Sequence, residues 1–146
     1  MKKIFITGGS GTIGSSFIKK YYNEYKFFSY SRNEKMQVAL KRQFSEVGII
    51  LGSVEDKMSL INAIRKSNPD IIIHAAALKH VDTAEINPIQ AVKSNIIGSL
   101  NVIDAAFDCN IKTTIGISTD KACSPDSNYG HTKSLMEQMF FMFQKG

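Results

Sequence analysis

Gly8, Gly11 and Gly14 stand at intervals of three directly behind the apolar run Ile4-Phe5-Ile6, and no other feature constrains the fold as strongly. The run reads as a strand, and the segment after it has helical period. Three glycines at a strand-to-helix junction have three separate physical uses. The first permits a tight turn, the second lets backbone approach a pyrophosphate, and the third lets helix and strand pack closely. The helix then turns unpaired N–H groups and the positive end of its dipole toward phosphate. Glycine clusters elsewhere often mark only turns; the flanking strand and helix give this one its meaning.

The alternation of short apolar runs with longer helical segments continues along the chain. Strands are expected over 3–6, 27–31, 47–51, 70–74 and 113–118, and helices over 13–24, 34–44, 57–66, 88–108 and 129–144. Ile71-Ile72-Ile73 is apolar without alternation, as a strand covered on both faces requires. The expected class is therefore α/β, a Rossmann-type doubly wound parallel sheet occupying one domain over 1–146. No internal repeat or linker suggests a second domain. Met139-Phe140-Phe141-Met142-Phe143 is strongly apolar with no strand after it, so it is expected to meet another subunit or further chain.

The formal net charge of +5 favours anionic partners, phosphorylated small molecules among them. No block of five like charges occurs, so a dedicated nucleic-acid surface is not expected. Cys109 and Cys123 form no CxxC pair, and His74, His80 and His131 show no ligand spacing; neither a metal site nor a disulfide framework is expected, and a reducing, cytoplasmic setting is. The basic start Met1-Lys2-Lys3 lacks the apolar core of an export signal, and the longest apolar stretch, interrupted by His74, is too short to span a bilayer. A soluble chain without membrane partners follows as the expectation.

At the end of the second expected strand stands Ser31-Arg32-Asn33-Glu34-Lys35. An acidic residue there would hold a ribose 2′-hydroxyl; Arg32 can instead fork onto a 2′-phosphate and Ser31 can donate a hydrogen bond, which favours NADP over NAD. A solvated turn arginine is the alternative.

The fifth strand ends in Ser118-Thr119-Asp120-Lys121, and Tyr129-Gly130-His131-Thr132-Lys133 begins eight residues beyond Lys121. Both segments arrive at the carboxyl rim of the sheet, where such folds bind ligands. Tyr129 and Lys133 lie one helical turn apart on one face, so the ammonium can act on the phenol and on a bound ribose. A nearby cation lowers a phenol's pKa and makes a phenolate base available near neutrality.

With the glycine triplet, these residues resemble the extended short-chain dehydrogenase/reductase superfamily. His74-Ala75-Ala76-Ala77-Leu78-Lys79-His80-Val81, Glu85, Asn87-Pro88, Asn95 and Ser118-Thr119-Asp120-Lys121-Ala122 are similar to the inverting UDP-N-acetylglucosamine 4,6-dehydratases, with 5-epimerase activity, of polysaccharide biosynthesis. Asp120-Lys121 discriminates most: retaining dehydratases carry Asp-Glu there and simple 4-epimerases usually carry neither pair. The resemblance covers nearly the whole chain.

It implies that NADP is held by Gly8, Ser10, Gly11, Thr12, Ile13 and Gly14 at the phosphates and by Ser31, Arg32, Asn33 and Lys35 at the ribose. Ser53, Val54, Ala75, Ala76, Lys79, Ser118, Tyr129 and Lys133 complete that implied set. A UDP-sugar substrate would meet Lys79, Thr119 and Tyr129. In the implied chemistry Tyr129 takes the C4 hydroxyl proton while a hydride passes from C4 to NADP⁺, with Thr119 hydrogen-bonded to the C4 oxygen. Lys121 then acts as base at C5, Asp120 protonates the departing 6-hydroxyl, and the hydride returns to C6. Lys133 supports Tyr129. A lysine base needs its pKa brought down from about 10.4 toward 7. Burial and Lys133 would lower that of Lys121 while Asp120 would raise it, and sequence leaves this balance open.

The chain departs from the family pattern at Gly52-Ser53-Val54, where Gly-Asp-Val is usual and the Asp takes the adenine amino group. Family members also continue beyond the last helix into a domain that grips UDP, so a chain truncated before its substrate-binding domain, and poor turnover by it alone, are expected. Homo-oligomers through helices 88–108 and 129–144 are implied as well. Two other readings stand beside the dehydratase: a non-catalytic NADP-binding sensor or interaction module, and a related nucleotide-sugar epimerase or reductase.

Overall fold

The computed structural model describes residues 1–144; the last two residues of the expected 1–146 domain lie outside the described residues. Ile4, Phe5 and Ile6 lie in β1 (Lys3–Thr7), none more than 2% exposed. Burial of consecutive residues requires cover on both sheet faces. β1 accordingly runs in the middle of a five-stranded parallel sheet, between β2 (Lys26–Ser31) and β4 (Ile71–His74). β3 (Gly48–Leu51) and β5 (Thr113–Gly116) form its edges, giving the order β3-β2-β1-β4-β5. The winding reverses at β1, and such a switch point opens a crevice at the carboxyl ends of the strands. The register aligns that rim: Thr7 lies beside both Tyr30 and His74, and His74 beside Gly116.

Side-chain alternation splits the core into two layers. Phe5, Tyr30 and Ile72 face one side, against Leu60 and Ile64 of α3 (Lys57–Ser67) and Val102 of α6 (Gly98–Asp108). Ile4, Ile6, Phe27 and Ile73 face the other, against Ile18 of α1 (Thr12–Tyr21) and Leu40 of α2 (Glu34–Gln43). Local sequence starts the helices where expected. The Asn33 side-chain Oδ1 accepts the Met36 N–H at 3.0 Å, and the Asp56 carboxylate accepts that of Ser59 at 3.1 Å, each a capping bond of about 1 kcal/mol.

The expected strand and helix types all form, with ends displaced by a few residues: β5 stops at Gly116 rather than 118, and α1 at Tyr21 rather than 24. Two differences go further. A short helix, α4 (Val81–Ile86), lies where none was expected, because six residues are too few to show helical period. The single helix expected over 88–108 is instead α5 (Pro88–Ala91), a π-helical segment (Val92–Ile97) and α6. The remaining elements are a 3-10 turn (Asp120–Ala122) and α7 (Asn128–Met142).

Gly14 joins α1 to the sheet. A Cβ built there would lie 2.5 Å from the Gly8 carbonyl oxygen and 2.6 Å from the Gly9 Cα, both backbone atoms that cannot swing aside. Gly14→Ala is expected to destabilise the chain by about 1–3 kcal/mol, as overpacking does, read as a lower urea midpoint at unchanged slope.

Candidate functional site

The turn between β1 and α1 is built on Gly8, whose φ of +73° is left-handed and readily adopted only without a side chain. A Cβ there would also sit 2.8 Å from the Ala76 nitrogen, so the turn backs directly onto the segment leaving β4. The Gly8 N–H donates to the Tyr30 carbonyl at 2.8 Å and the Ala75 N–H to the Thr7 carbonyl at 3.0 Å. Three strand ends are thereby locked together, and a cleft of about 280 Å³ opens over them.

One wall of the cleft is the glycine turn with the first residues of α1: Gly8, Ser10, Gly11, Thr12, Ile13 and Gly14. No side chain caps α1, so its first N–H groups face the cleft end of the helix unclaimed by a cap. Ser31, Arg32 and Asn33 line the end beyond β2, Ser53 and Val54 the end beyond β3, and Ala75, Ala76 and Lys79 the side beyond β4. The Lys79 ammonium reaches across to the Thr12 hydroxyl at 3.5 Å. Of the expected cofactor residues, Lys35, Ser118, Tyr129 and Lys133 stand outside this lining. Lys35 projects from the exposed side of α2's first turn, one position past Glu34.

Several of these groups have structural partners of their own. The Ser31 hydroxyl accepts the Ser10 N–H at 3.4 Å, tying the glycine turn to β2 and leaving its own proton to donate. The Ser53 hydroxyl, where the family pattern has a carboxylate, accepts the Glu55 N–H at 3.2 Å and so holds its own loop. That loop is fixed further by the Tyr30 hydroxyl, which donates to the Ser53 carbonyl at 2.9 Å. Burial, with the Asp56 carboxylate adding to it, pushes the Tyr30 phenol up to about 12, so it stays a donor.

Tyr30, Met36, Gly52, Ala77 and Ser94 also line the cleft and were not expected. Tyr30 and Gly52 adjoin expected residues, so strand-end position was a usable signal. Ser94 carried none, because it reaches the cleft only through the π-helical segment.

The second constellation lies where β5 gives way to α7. The 3-10 turn packs on the start of α7 so closely that a Cβ on Gly130 would strike the Lys121 carbonyl, with Pro125 at 3.1 Å. The backbone of the Asp120–Ala122 turn thus lies against the first turn of α7, which carries Tyr129. Thr119 caps the turn, its hydroxyl accepting the Lys121 N–H at 3.4 Å and donating to the Asp120 carboxylate at 3.2 Å. The Tyr129 ring, 8% exposed, packs among Leu78, Val81, Ala84 and Ala91. α4 is therefore part of this site, supplying Val81 and Ala84. Asn95 binds the same region together: its side chain accepts the Leu78 N–H at 2.8 Å and donates to the Thr132 hydroxyl at 3.0 Å.

The two amines differ sharply. Lys133 is 4% exposed, with its ammonium donating to the Ile117 carbonyl at 2.7 Å. Lys121 is 53% exposed along its side chain and lies 3.8 Å from Asp120, itself 93% exposed. The burial expected for Lys121 belongs instead to Lys133. Ser118 donates its hydroxyl to the Glu137 carboxylate, which fastens the end of β5 to α7.

Sheet order, glycine turn and rim residues define a Rossmann-type domain of the extended short-chain dehydrogenase/reductase class. More narrowly, the chain belongs to the family described as polysaccharide biosynthesis protein, which matches residues 4–146. It is 42% identical over 144 residues to the UDP-N-acetylglucosamine 4,6-dehydratase (inverting) of Campylobacter jejuni, covering 95% of this chain and 42% of that relative. A UDP-glucose 4-epimerase of Rickettsia akari is 34% identical over 146 residues, with 94% of this chain and 42% of the relative covered. Among solved structures, Pen from Bacillus thuringiensis superposes with a TM-score of 0.93 at 34% identity, over 98% of this chain and 45% of that one. The chain spans 42% of the length of these two sequence relatives. No helix among the described residues is long and apolar enough to cross a membrane.

Desolvation brings the Lys133 ammonium down to about 8, with the Glu137 carboxylate opposing. An unfolded lysine near 10.4 holds its proton where the folded one has released it, so the unfolded state binds more protons between pH 8 and 10.4. Stability from this group should therefore rise with pH through that window, by up to about 3 kcal/mol. The check is an NMR titration of the Lys133 side chain with a midpoint near 8, paired with urea melts across the same range, which Lys133→Met should flatten.

Proposed function

We propose that residues 1–146 form the NADP-binding domain of an inverting UDP-N-acetylglucosamine 4,6-dehydratase, a lyase whose substrate domain lies outside these residues. The observation that carries the reading is the pairing of two features on one rim: the glycine-lined cleft ending at Arg32, and the Thr119-Asp120-Lys121 turn packed against Gly130 in the first turn of α7, next to Tyr129 in sequence. The 42% identity to the C. jejuni dehydratase supports it, and the 42% share of that relative supports a second domain elsewhere.

The cleft fits a dinucleotide on its own geometry. Gly8 and Gly14 leave no room for a Cβ against backbone, while Gly11 has only the Gly8 carbonyl, at 3.2 Å, near its missing Cβ. The turn is thus drawn in at both ends and open in the middle, where phosphate oxygens would meet backbone N–H groups and the α1 dipole. Arg32 would hold the 2′-phosphate with the free proton of Ser31, and Lys79 would face the nicotinamide side. When bound, NADP would supply reversible hydride acceptance.

The chain's own residues would divide the remaining work. Tyr129 is the base at the C4 hydroxyl, and Thr119 holds the C4 oxygen. Lys133 would donate toward the ribose or the phenol once it leaves the Ile117 carbonyl. Lys121 takes the proton from C5 and Asp120, beside it in water, gives one to the leaving 6-hydroxyl. The Asp120 side chain is 93% exposed, so proton donation by it to the leaving 6-hydroxyl calls for the substrate to enclose it. The Rickettsia relative favours a second reading, a UDP-sugar epimerase on the same domain. Asp120-Lys121 sets the two apart, because epimerisation at C4 eliminates no water and needs no acid at the 6-hydroxyl.

Arg32→Ala is expected to weaken NADPH binding about tenfold and NADH binding less than about twofold, measured by fluorescence titration of the 146-residue chain. Equal effects on both would remove the NADP assignment. The full enzyme supplied with UDP-N-acetylglucosamine in D₂O should release water and take deuterium at C5, followed by NMR. A C4 epimer that retains its 6-hydroxyl would establish the second reading in its place.

A further inference from the structure

His74 is 1% exposed, its ring meets no carboxylate, and nothing in the proposed chemistry uses it. Its two nitrogens are both engaged. Nδ1 lies 2.6 Å from the Thr7 hydroxyl and Nε2 lies 3.0 Å from the Ser99 hydroxyl. The protons in this chain can be counted. Ser99 spends its only proton on the Asn95 carbonyl at 2.6 Å, an oxygen that can only accept. Ser99 must then accept from Nε2, which therefore carries hydrogen. The Thr7 hydroxyl accepts the Ala76 N–H at 3.3 Å, and its own proton is satisfied only by a lone pair on Nδ1. Every bond runs the same way: from the Ala76 N–H through Thr7, His74 and Ser99 to the Asn95 carbonyl. Desolvation, with the Lys133 charge adding to it, holds the imidazole down to about 3, in keeping with a neutral ring.

The two ends of this line touch the two halves of the site. Ala75 and Ala76 lie against Gly8, closing the cleft from the β4 side. Asn95 donates to Thr132, which donates in turn to the Tyr129 carbonyl at 2.8 Å, within the first turn of α7. Phe140, further along α7, lies parallel to the imidazole with centroids 6.2 Å apart.

We propose that His74 is a positioning residue, a neutral Nε2–H ring that fixes the Ala75–Ala77 wall of the cleft relative to Tyr129 and Lys133 on α7. The inference rests on the reading of the cleft as a dinucleotide site and adds to it a means of aligning cofactor and catalytic helix. A packing imidazole would need no single tautomer; this role requires one, because reversing any proton leaves two donors or two acceptors facing each other in a buried space.

Two measurements on the 146-residue chain test it. Long-range ¹⁵N–¹H spectra should show His74 as neutral Nε2–H at pH 7, and Ser99→Ala, which removes the acceptor for that proton, should give a mixture of tautomers. Thr7→Val should weaken NADPH binding about tenfold, while Thr7→Ser, which keeps the hydroxyl, stays within about twofold of the parent. A charged ring, an Nδ1–H ring in the parent, or equal affinities for the Val and Ser variants would overturn the proposal. If the Val variant does not fold, the parent and Ser99→Ala spectra decide it. A parent chain with the Nε2–H ring that binds neither NADPH nor NADH would overturn the positioning role too, and would place the fault in the reading of the cleft rather than in the relay.

Discussion

The close approach of the Gly8 turn to the backbone of Ala75 and Ala76 is the contact on which the rim depends. It brings the exits of β1 and β4 together, and the Gly8 N–H bond to Tyr30 adds β2. Without it α1 would not point its first N–H groups over the switch point, and the segment bearing Lys79 would have no fixed distance from the phosphate turn. The requirement is one of backbone against backbone, which is why side-chain repacking cannot relieve it. Close packing of this kind transmits position with little compliance, so a rim built this way holds its spacing.

The glycine turn itself was legible in the sequence because its cause is local, whereas its contact with Ala75 and Ala76 was not. A glycine forced to positive φ, and two more at fixed intervals behind an apolar run, leave few alternatives once a helix follows. The residues that line the cleft were legible for the same reason: they sit at strand ends, and strand ends are set by apolar periodicity. Lys35 stands outside the cleft lining because one helical position turns a side chain through about 100°, which leaves it on the exposed side of α2. The π-helical segment was illegible because its causes are distant. Asn95 is claimed by Leu78 and Thr132, so the local winding answers to residues from elsewhere in the chain. Such single-turn departures often occur at functional sites, and this one delivers both Ser94 to the cleft and Asn95 to α7.

Polar groups at this site are shared between holding and acting. Ser53, Ser118 and Asn33 each have a structural partner, so a sequence reading that credits every polar residue near the rim to the ligand assigns some of them twice. The buried line from Thr7 to Asn95 is the extreme case, with no polar side-chain atom among the described buried residues left without a partner. Fully paired networks rigidify because any displacement exposes an unmet group in a medium of low polarity. In the proposed chemistry rigidity there would be useful, since hydride transfer tolerates little error in the distance between donor and acceptor carbons.

The two lysines of the proposed catalytic segment show where the remaining alignment would have to come from. Lys133 is already dry, held against the Ile117 carbonyl, and its environment is complete within these residues. Lys121 and Asp120 face water on a three-residue turn. A proton-transfer pair in that condition is screened by solvent, and its two members attract each other weakly. In the proposed chemistry they must address opposite ends of one C5–C6 bond, so the substrate has to separate and enclose them as it binds. The first half of the proposed reaction, at C4, would thus draw on a prebuilt frame, whereas the elimination would draw on geometry that only the bound sugar completes. Binding energy from the nucleotide end of the substrate is the natural source of that closure, because remote contacts can be used to order and desolvate the reacting centre.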